Sequence, residues 1–314
     1  MIHAPVHEPS PSLGQELETI YAPVHIPGRV DEVNLRHVYM HGALWFNQTK
    51  GDSMAEWFLG AIGFSYPEWK GSFYPAGLPA NQSLAHYSKY FNAVEINTTF
   101  YGPKSPAEVQ RWANSVPDSF RFCLKTPRRV THDLRLQNTG PEMRAFLESS
   151  AALGEKFGAV LIQLPPSFKR GEQPVLEAFL ETLPRETRFA IEFRHASWHV
   201  PETADLLRRY GVCWAATDYE DLPVEIYPTA GFLYIRWIGR HNVIPHPGHE
   251  VLDRTERLQQ WLERIRANLD GIDAIFGFFD NDYAGHAPAT LNRMRALVGL
   301  PVIPPSTEGQ GRLF

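Results

Sequence analysis

The sequence predicts an α/β chain of the TIM (β/α)8 barrel class, with a parallel eight-stranded sheet. Three observations predict it. Eight short apolar runs recur along the chain, helical periodicity fills most of the gaps between them, and the mean spacing of the runs is the length of one βα unit. The first begins at Trp57 and the eighth at Ala274, so the seven intervals average 31 residues, about one βα unit. Strands alternating with helices imply parallel pairing and right-handed crossovers. Eight such units in about 250 residues match a barrel. A doubly wound open sheet is the alternative, but its glycine-rich phosphate turn is missing. The segment after the first run reads GFSYPEWKG, without the G-x-G-x-x-G spacing.

In chain order the expected strands are 57–64, 93–97, 121–125, 159–164, 189–194, 212–217, 233–239 and 274–282. Leu84, Tyr87, Ser88 and Phe91 mark one helix. Phe146, Leu147, Leu153 and Phe157 mark a second, and Leu258, Trp261, Leu262 and Ile265 a third. Segments 202–210 and 287–298 complete the pattern. Residues 1–55 differ in kind. Pro5, Pro9, Pro11, Pro23 and Pro27 interrupt any helix, which predicts a partly disordered extension with a short ordered piece near 38–46. The barrel domain is expected over 56–303, and 304–314 reads as a short flexible tail.

Composition bounds the function. The net charge is −5, with 43% hydrophobic and 21% charged residues, which excludes a wholly disordered, collagen-like or coiled-coil chain. It also opposes coating nucleic acid through bulk positive charge. No apolar run approaches the roughly 18 residues of a membrane span. The start, MIHAPVHEPSPSL, has no basic region leading into an apolar stretch, so a cytoplasmic protein is expected. Cys123 and Cys213 lie in apolar runs and read as packed thiols.

Strand alternation nominates the site. Barrel residues alternate between interior and helix layer, and active sites form at the C-terminal strand ends. Glu95 and Asn97 oppose Val94 and Ile96. Lys125 shares a face with Cys123. Gln163 opposes Ile162, Glu192 and Arg194 oppose Ile191 and Phe193, and Arg236 opposes Ile235 and Trp237. Asp218 follows the sixth run, and Asp280, Asn281 and Asp282 end the eighth. Single pairs such as Glu192–Lys125 or Glu95–Arg194 could be structural. Repetition over several strands points to a polar cup at the barrel mouth, because burying this many charges costs several kcal/mol each unless they are paired or liganded.

The cup carries both signs. Lys125, Arg194 and Arg236 are cations suited to phosphate or carboxylate. The loop after the third run adds Arg128, Arg129, His132 and Arg135, so a small anionic ligand is expected. Glu95 and Glu192 are the candidate acid/base pair, with Lys125 and Asp218 as further catalytic candidates. Asn97, Tyr101, His132, Gln163, Arg194, Trp198, Arg236, Asn281, Tyr66 and Trp69 are candidate substrate contacts. Phe73, Tyr74 and Phe100 add rings that either stack on a ligand or pack the loops. Asp280 and Asp282 are candidate ligands for a divalent metal. His241, His246 and His249 share one loop and lack a fourth zinc ligand, so they read as a solvent-exposed loop. No G-x-S-x-G, P-loop, H-E-x-x-H or C-x-x-C motif occurs.

The segments SYPEWKGSFYP, YFNAVEINTTFYGPKSP, FCLKTPRRVTHDLRL, LIQLPPSF, AIEFRHASW and FFDNDYAGHAP together resemble the family called domain of unknown function 72, the YecE-like proteins. The resemblance covers about residues 57–300. It implies a TIM barrel and supplies no catalytic assignment. The family's recurring residues fall on Trp69, Tyr74, Glu95, Asn97, Phe100, Tyr101, Lys125, His132, Gln163, Pro165, Pro166, Glu192, Arg194, Trp198, Arg236 and Asn281. Two positions depart: Ile238 stands where the family tends to histidine, and Asp280 where it tends to asparagine.

Three function classes follow. The first is an enzyme acting on a small anion, for which hydrolysis, lysis and isomerisation all fit. The second is a metal-dependent phosphodiesterase or nucleic-acid-processing protein, with Glu95, Glu192, Asp218, Asp280 and His132 as candidate metal ligands. The third is a non-catalytic binding protein. The end of the sequence, Gln310-Gly311-Arg312-Leu313-Phe314, resembles the short peptides with which bacterial repair proteins engage the sliding clamp. Leu313 and Phe314 would be its anchors and Gln310 its rim contact.

Overall fold

The computed structural model describes residues 55–219, 222–241 and 243–303. Nearly all of the expected extension, including the piece near 38–46, lies outside the described residues. So does the tail with Gln310, Leu313 and Phe314.

Nine parallel strands form one sheet: β1 (Glu56–Ile62), β2 (Ala93–Ile96), β3 (Arg121–Lys125), β4 (Phe157–Gln163), β5 (Phe189–Glu192), β6 (Cys213–Trp214), β7 (Ala216–Asp218), β8 (Phe232–Trp237) and β9 (Ala274–Phe279). Their spatial order is β6-β5-β4-β3-β2-β1-β9-β8-β7. The two ends of that order are consecutive in the chain, with only Ala215 between them. Cys213 and Trp214 pair with β5, while Ala216, Thr217 and Asp218 pair with β8. The nine pieces are therefore the eight strands of a TIM-like barrel, the sixth in two parts.

Helices alternate with the strands: α1 (Ser83–Tyr87), α2 (Pro106–Asn114), α3 (Gly140–Ser150), α4 (Gln173–Leu180), α5 (Pro201–Tyr210), α6 (Thr255–Arg266), α7 (Asn281–Ala284) and α8 (Ala287–Leu297). The sequence of α5 shows why it forms. Pro201 opens it, where a missing N–H costs nothing, and Gly211 closes it at φ 65°. Ala204, Leu206 and Leu207 give it a buried stripe. The helix expected to run from Phe146 to Phe157 stops at Ser150. A 3-10 turn follows, Gly154 takes φ 55°, and Phe157 already begins β4. The fifth strand ends at Glu192, so Arg194 sits just past it. The ninth ends at Phe279, so Asp280, Asn281 and Asp282 start α7 instead of finishing a strand.

Alternation divides the core in two. Leu59, Val94, Ile96, Phe122, Leu124, Ile162, Ile191, Trp214, Ala216, Ile235 and Trp237 pack with the helices. Phe58, Cys123, Ala159, Leu161, Ala190, Cys213, Ala215, Phe232, Tyr234, Phe276 and Phe278 fill the barrel. Stacking of Phe58 on Phe276 at 5.1 Å and an edge contact of Phe232 with Phe276 make an aromatic floor. Both cysteines are free buried thiols, Cys123 and Cys213. No helix among the described residues is long and apolar enough to cross a membrane.

Candidate functional site

Above the aromatic floor the interior turns polar. Register sets Gln163 beside Glu192 across β4 and β5, and alternation aims Glu95, Lys125 and Arg236 inward from β2, β3 and β8. One hydrogen-bonded cluster results, with Arg236 at its centre. Its Nε donates to Glu95 Oε2 and its Nη2 to Glu95 Oε1, both at 2.9 Å, a two-pronged pair. Its Nη1 donates to Glu192 Oε2. Tyr234 donates its hydroxyl to Glu95 Oε2 at 2.8 Å. Glu192 Oε1 accepts from Gln163 Nε2 at 2.9 Å and from Arg194 Nη1 at 2.7 Å. Gln163 Oε1 in turn accepts from Lys125 Nζ at 2.8 Å.

Exposure rises from floor to mouth. Glu95 and Glu192 are fully buried, Arg236 is 2% exposed and Lys125 9%. Two rings hold the outer cations: Phe100 lies 4.1 Å from Lys125 Nζ, and Tyr219 lies 4.0 Å from the Arg194 guanidinium. Three cations face two carboxylates here, which leaves one positive charge.

The electrostatics separate the roles. Burial pushes the Glu192 carboxyl up, but Arg236 and Arg194 outweigh it and hold it at about 2. It is an ionised counter-ion at neutral pH, which leaves it no proton to donate as an acid. Glu95 is equally committed to Arg236 and Tyr234. The pairs expected from sequence, Glu192–Lys125 and Glu95–Arg194, are replaced by Glu192–Arg194 and by Arg236 shared between both carboxylates. Burial, with Arg236 next, lowers the Lys125 amine to about 8.

Other nominated residues distribute around this cluster. Tyr66 donates to the Ile62 carbonyl, and burial together with Asp280 and Glu95 raises its hydroxyl pKa. Asn97 precedes the short turn Thr98–Tyr101, and its Oδ1 is buried without a hydrogen-bond partner among the described residues. His132 meets the edge of Phe100 at 5.1 Å, and burial and then Lys125 lower its pKa. Tyr101 is 86% exposed and is not in the cluster.

Several nominated residues make contacts between elements outside the cluster. Asp218 does not enter the cup. It accepts from Arg257 at 2.8 and 3.0 Å, from Trp261 Nε1 at 2.7 Å and from the Tyr283 hydroxyl at 3.0 Å, tying β7 to α6 and α7. Trp198 is fully buried, donates to the Phe168 carbonyl and stacks on Phe193 and Phe168. Trp69 is fully buried too and donates to Asn281 Oδ1 at 3.0 Å. That oxygen also accepts from Ala287 N, so this pair fixes the first loop to α7.

Asp280 caps α7, accepting from Asp282 N, and burial raises its carboxyl above the usual range. Asp282 instead bridges two imidazoles, His241 Nδ1 at 2.6 Å and His246 Nε2 at 2.9 Å. The His241–His246 loop, expected to stand free in solvent, is therefore tied down by one carboxylate. Gly239, at φ 72°, permits the approach: a Cβ there would meet the Asp282 carbonyl at 2.4 Å. No group of three or more His, Cys, Asp or Glu among the described residues is placed to hold a metal ion. The basic loop is spent locally, with Arg128 on Asp133, Arg129 on Glu142 and Arg135 on Glu172.

The model of the family described as a protein of unknown function, DUF72, matches residues 58–310. The chain belongs to the DUF72 family. It is 35% identical over 138 residues to the UPF0759 protein YecE of Escherichia coli K12, a match covering 44% of this chain and 48% of YecE. The matched stretch is thus about half the length of that relative. Against the UPF0759 protein YunF of Bacillus subtilis strain 168, identity is 23% over 258 residues, covering 73% of this chain and 91% of YunF. Among solved structures, a DUF72 family protein of Thermotoga maritima superposes with TM-score 0.67 at 29% identity. It covers 78% of this chain and 99% of its own. A DUF72 protein of Enterococcus faecalis, at TM-score 0.64 and 21% identity, covers 80% and 100% and supports the fold.

Within this DUF72 chain, Ile238 is buried in the barrel interior, where a histidine would need a polar partner. Two participants escaped sequence reasoning. Tyr234 was legible, because it lies two residues before Arg236 on the same strand face. Tyr219 carries no local signal, and only the barrel brings it to Arg194.

The Glu192 pair sets an acid limit. A carboxylate held below its ordinary range contributes stability above that range and loses it as pH falls toward the folded-state value. The wild-type chain is expected to lose about 3 kcal/mol of unfolding free energy between pH ~5 and pH ~2 relative to Glu192→Gln. Urea titrations at stepped pH check this. Parallel curves for the two proteins would contradict the assignment.

Proposed function

We propose that this chain is an enzyme whose barrel mouth binds a small anionic molecule bearing a carboxylate or phosphate. One observation supports it most. Lys125 and Arg194, the two outermost cations, each make a single hydrogen bond among the described residues. An ammonium carries three N–H donors and a guanidinium five, so both keep donors for a ligand. Arg236, by contrast, is consumed by two carboxylates and serves as foundation. Asn97, with its unpartnered Oδ1, adds an acceptor for a ligand hydroxyl or amine. A surface cavity of about 490 Å³ lined by residues of α3 and α4 and the loop before α3 carries no titratable side chain, and so offers no comparable chemistry.

Calorimetric titration with inorganic phosphate and with small carboxylates tests the reading. Wild type is expected to bind, and Arg194→Gln to bind about 10–100-fold more weakly, the worth of one charge-assisted hydrogen-bond pair. Equal binding by both would remove the anion from this site.

A further inference from the structure

The cup holds its outermost amine in an unusual setting. Lys125 Nζ is nearly sealed, its one hydrogen bond among the described residues runs to Gln163, and one side is covered by the face of Phe100. The orientation of Gln163 is dictated by Glu192. A carboxylate only accepts, so the amide NH2 must face Glu192 and the carbonyl oxygen must face Lys125. An acceptor at that position holds the amine in place whether or not it is protonated. The neutral amine then gives one N–H to Gln163 and keeps its lone pair for another atom.

We propose that Lys125 is a catalytic nucleophile that condenses with the carbonyl carbon of an anionic aldehyde or 2-oxo acid. The substrate's charge rests on the anion reading above, and Arg194 would hold it. In the step the Nζ lone pair forms the new C–N bond, and the carbonyl π pair moves to oxygen, which takes a proton. Nitrogen releases one proton to solvent. A second protonation of oxygen releases water as the C–O bond breaks and the C=N bond forms. Amine, carbonyl and one proton give a protonated imine and one water, with no change of oxidation state. Lysines made reactive this way are desolvated or set beside another cation, and Lys125 is both.

The groups facing the amine come from every surrounding element: Arg236 on β8, Glu192 on β5, Arg194 just beyond it, Glu95 on β2 and His132 in the loop after β3. The two arginines and burial favour the neutral amine, while the two carboxylates oppose it. The balance leaves it titrating at about 8, where a free lysine titrates at ~10.4.

Reductive trapping on the wild-type chain tests the proposal. Glyoxylate, or acetaldehyde as its uncharged counterpart, is added with cyanoborohydride from pH 6 to 10, and peptides are mapped by mass spectrometry. The sequence has seven lysines, so each site is separately resolved. Lys125 is expected to label first, at least tenfold faster than the others at pH 7.5, with a half-maximal rate near pH 8. Phe100→Ala, which lets water reach the amine, should move that midpoint upward. Labelling of the other lysines with Lys125 spared by both reagents overturns the proposal, and phosphate binding by calorimetry would then still stand or fall alone. Equal labelling of Lys125 by both reagents supports the nucleophile and removes the anion requirement.

Discussion

Arg236→Met is expected to lower the unfolding free energy by about 3–5 kcal/mol, the cost of leaving buried carboxylates without their counter-charge. Glu95 and Glu192 are fully buried, and among the described residues Arg236 makes both charged hydrogen bonds to Glu95. Methionine replaces the unbranched stem of the side chain and removes its charge, so packing loss stays small beside the loss of charge. Two controls make the result specific. Adding Glu95→Gln and Glu192→Gln should recover part of the loss, because uncharged amides need no counter-ion. The single variant should also gain stability relative to wild type as pH falls, since carboxylates freed from Arg236 take up protons more readily in the folded chain. Urea denaturation midpoints near wild type for Arg236→Met would mean that the cluster does not bear on the fold.

Asp218→Ala is expected to cost about 3 kcal/mol while leaving anion binding within about twofold of wild type. The substitution strands the Trp261 indole N–H and the Tyr283 hydroxyl, both on buried side chains, and releases Arg257. An unfilled buried donor loses its water without gaining a partner. The paired readouts decide between roles. Loss of phosphate binding with an unchanged denaturation midpoint would return Asp218 to the cup, whereas the reverse outcome fixes it as the tie between β7 and the helices.

The fate of Asp218 shows what strand reading can and cannot give. Counting alternation from Cys213 puts Ala215 and Thr217 inside and Asp218 outside, so its direction was legible and the phase simply had to be applied to the sixth strand. Its partners were not legible, because Arg257, Trp261 and Tyr283 come from segments at least 39 residues away. Trp198 and Trp69 made the opposite demand. Their rings look alike in sequence whether they stack on a ligand or fill a loop, and only full burial with the indole N–H already used shows the second.

The sequence by itself determined the barrel, its eight-strand count and the inward face carrying Glu95, Lys125, Gln163, Glu192 and Arg236. Those properties follow from periods of 2 and 3.6 and from unit length, which are local. Only the tertiary structure decided that Glu95 and Glu192 share Arg236, that Glu192 orients Gln163, and that Gln163 in turn holds the Lys125 amine. Arg236 and Glu95 stand 141 residues apart in the chain. Their separation in space is set by barrel closure, and the charge state of each group depends on which neighbours that closure supplies.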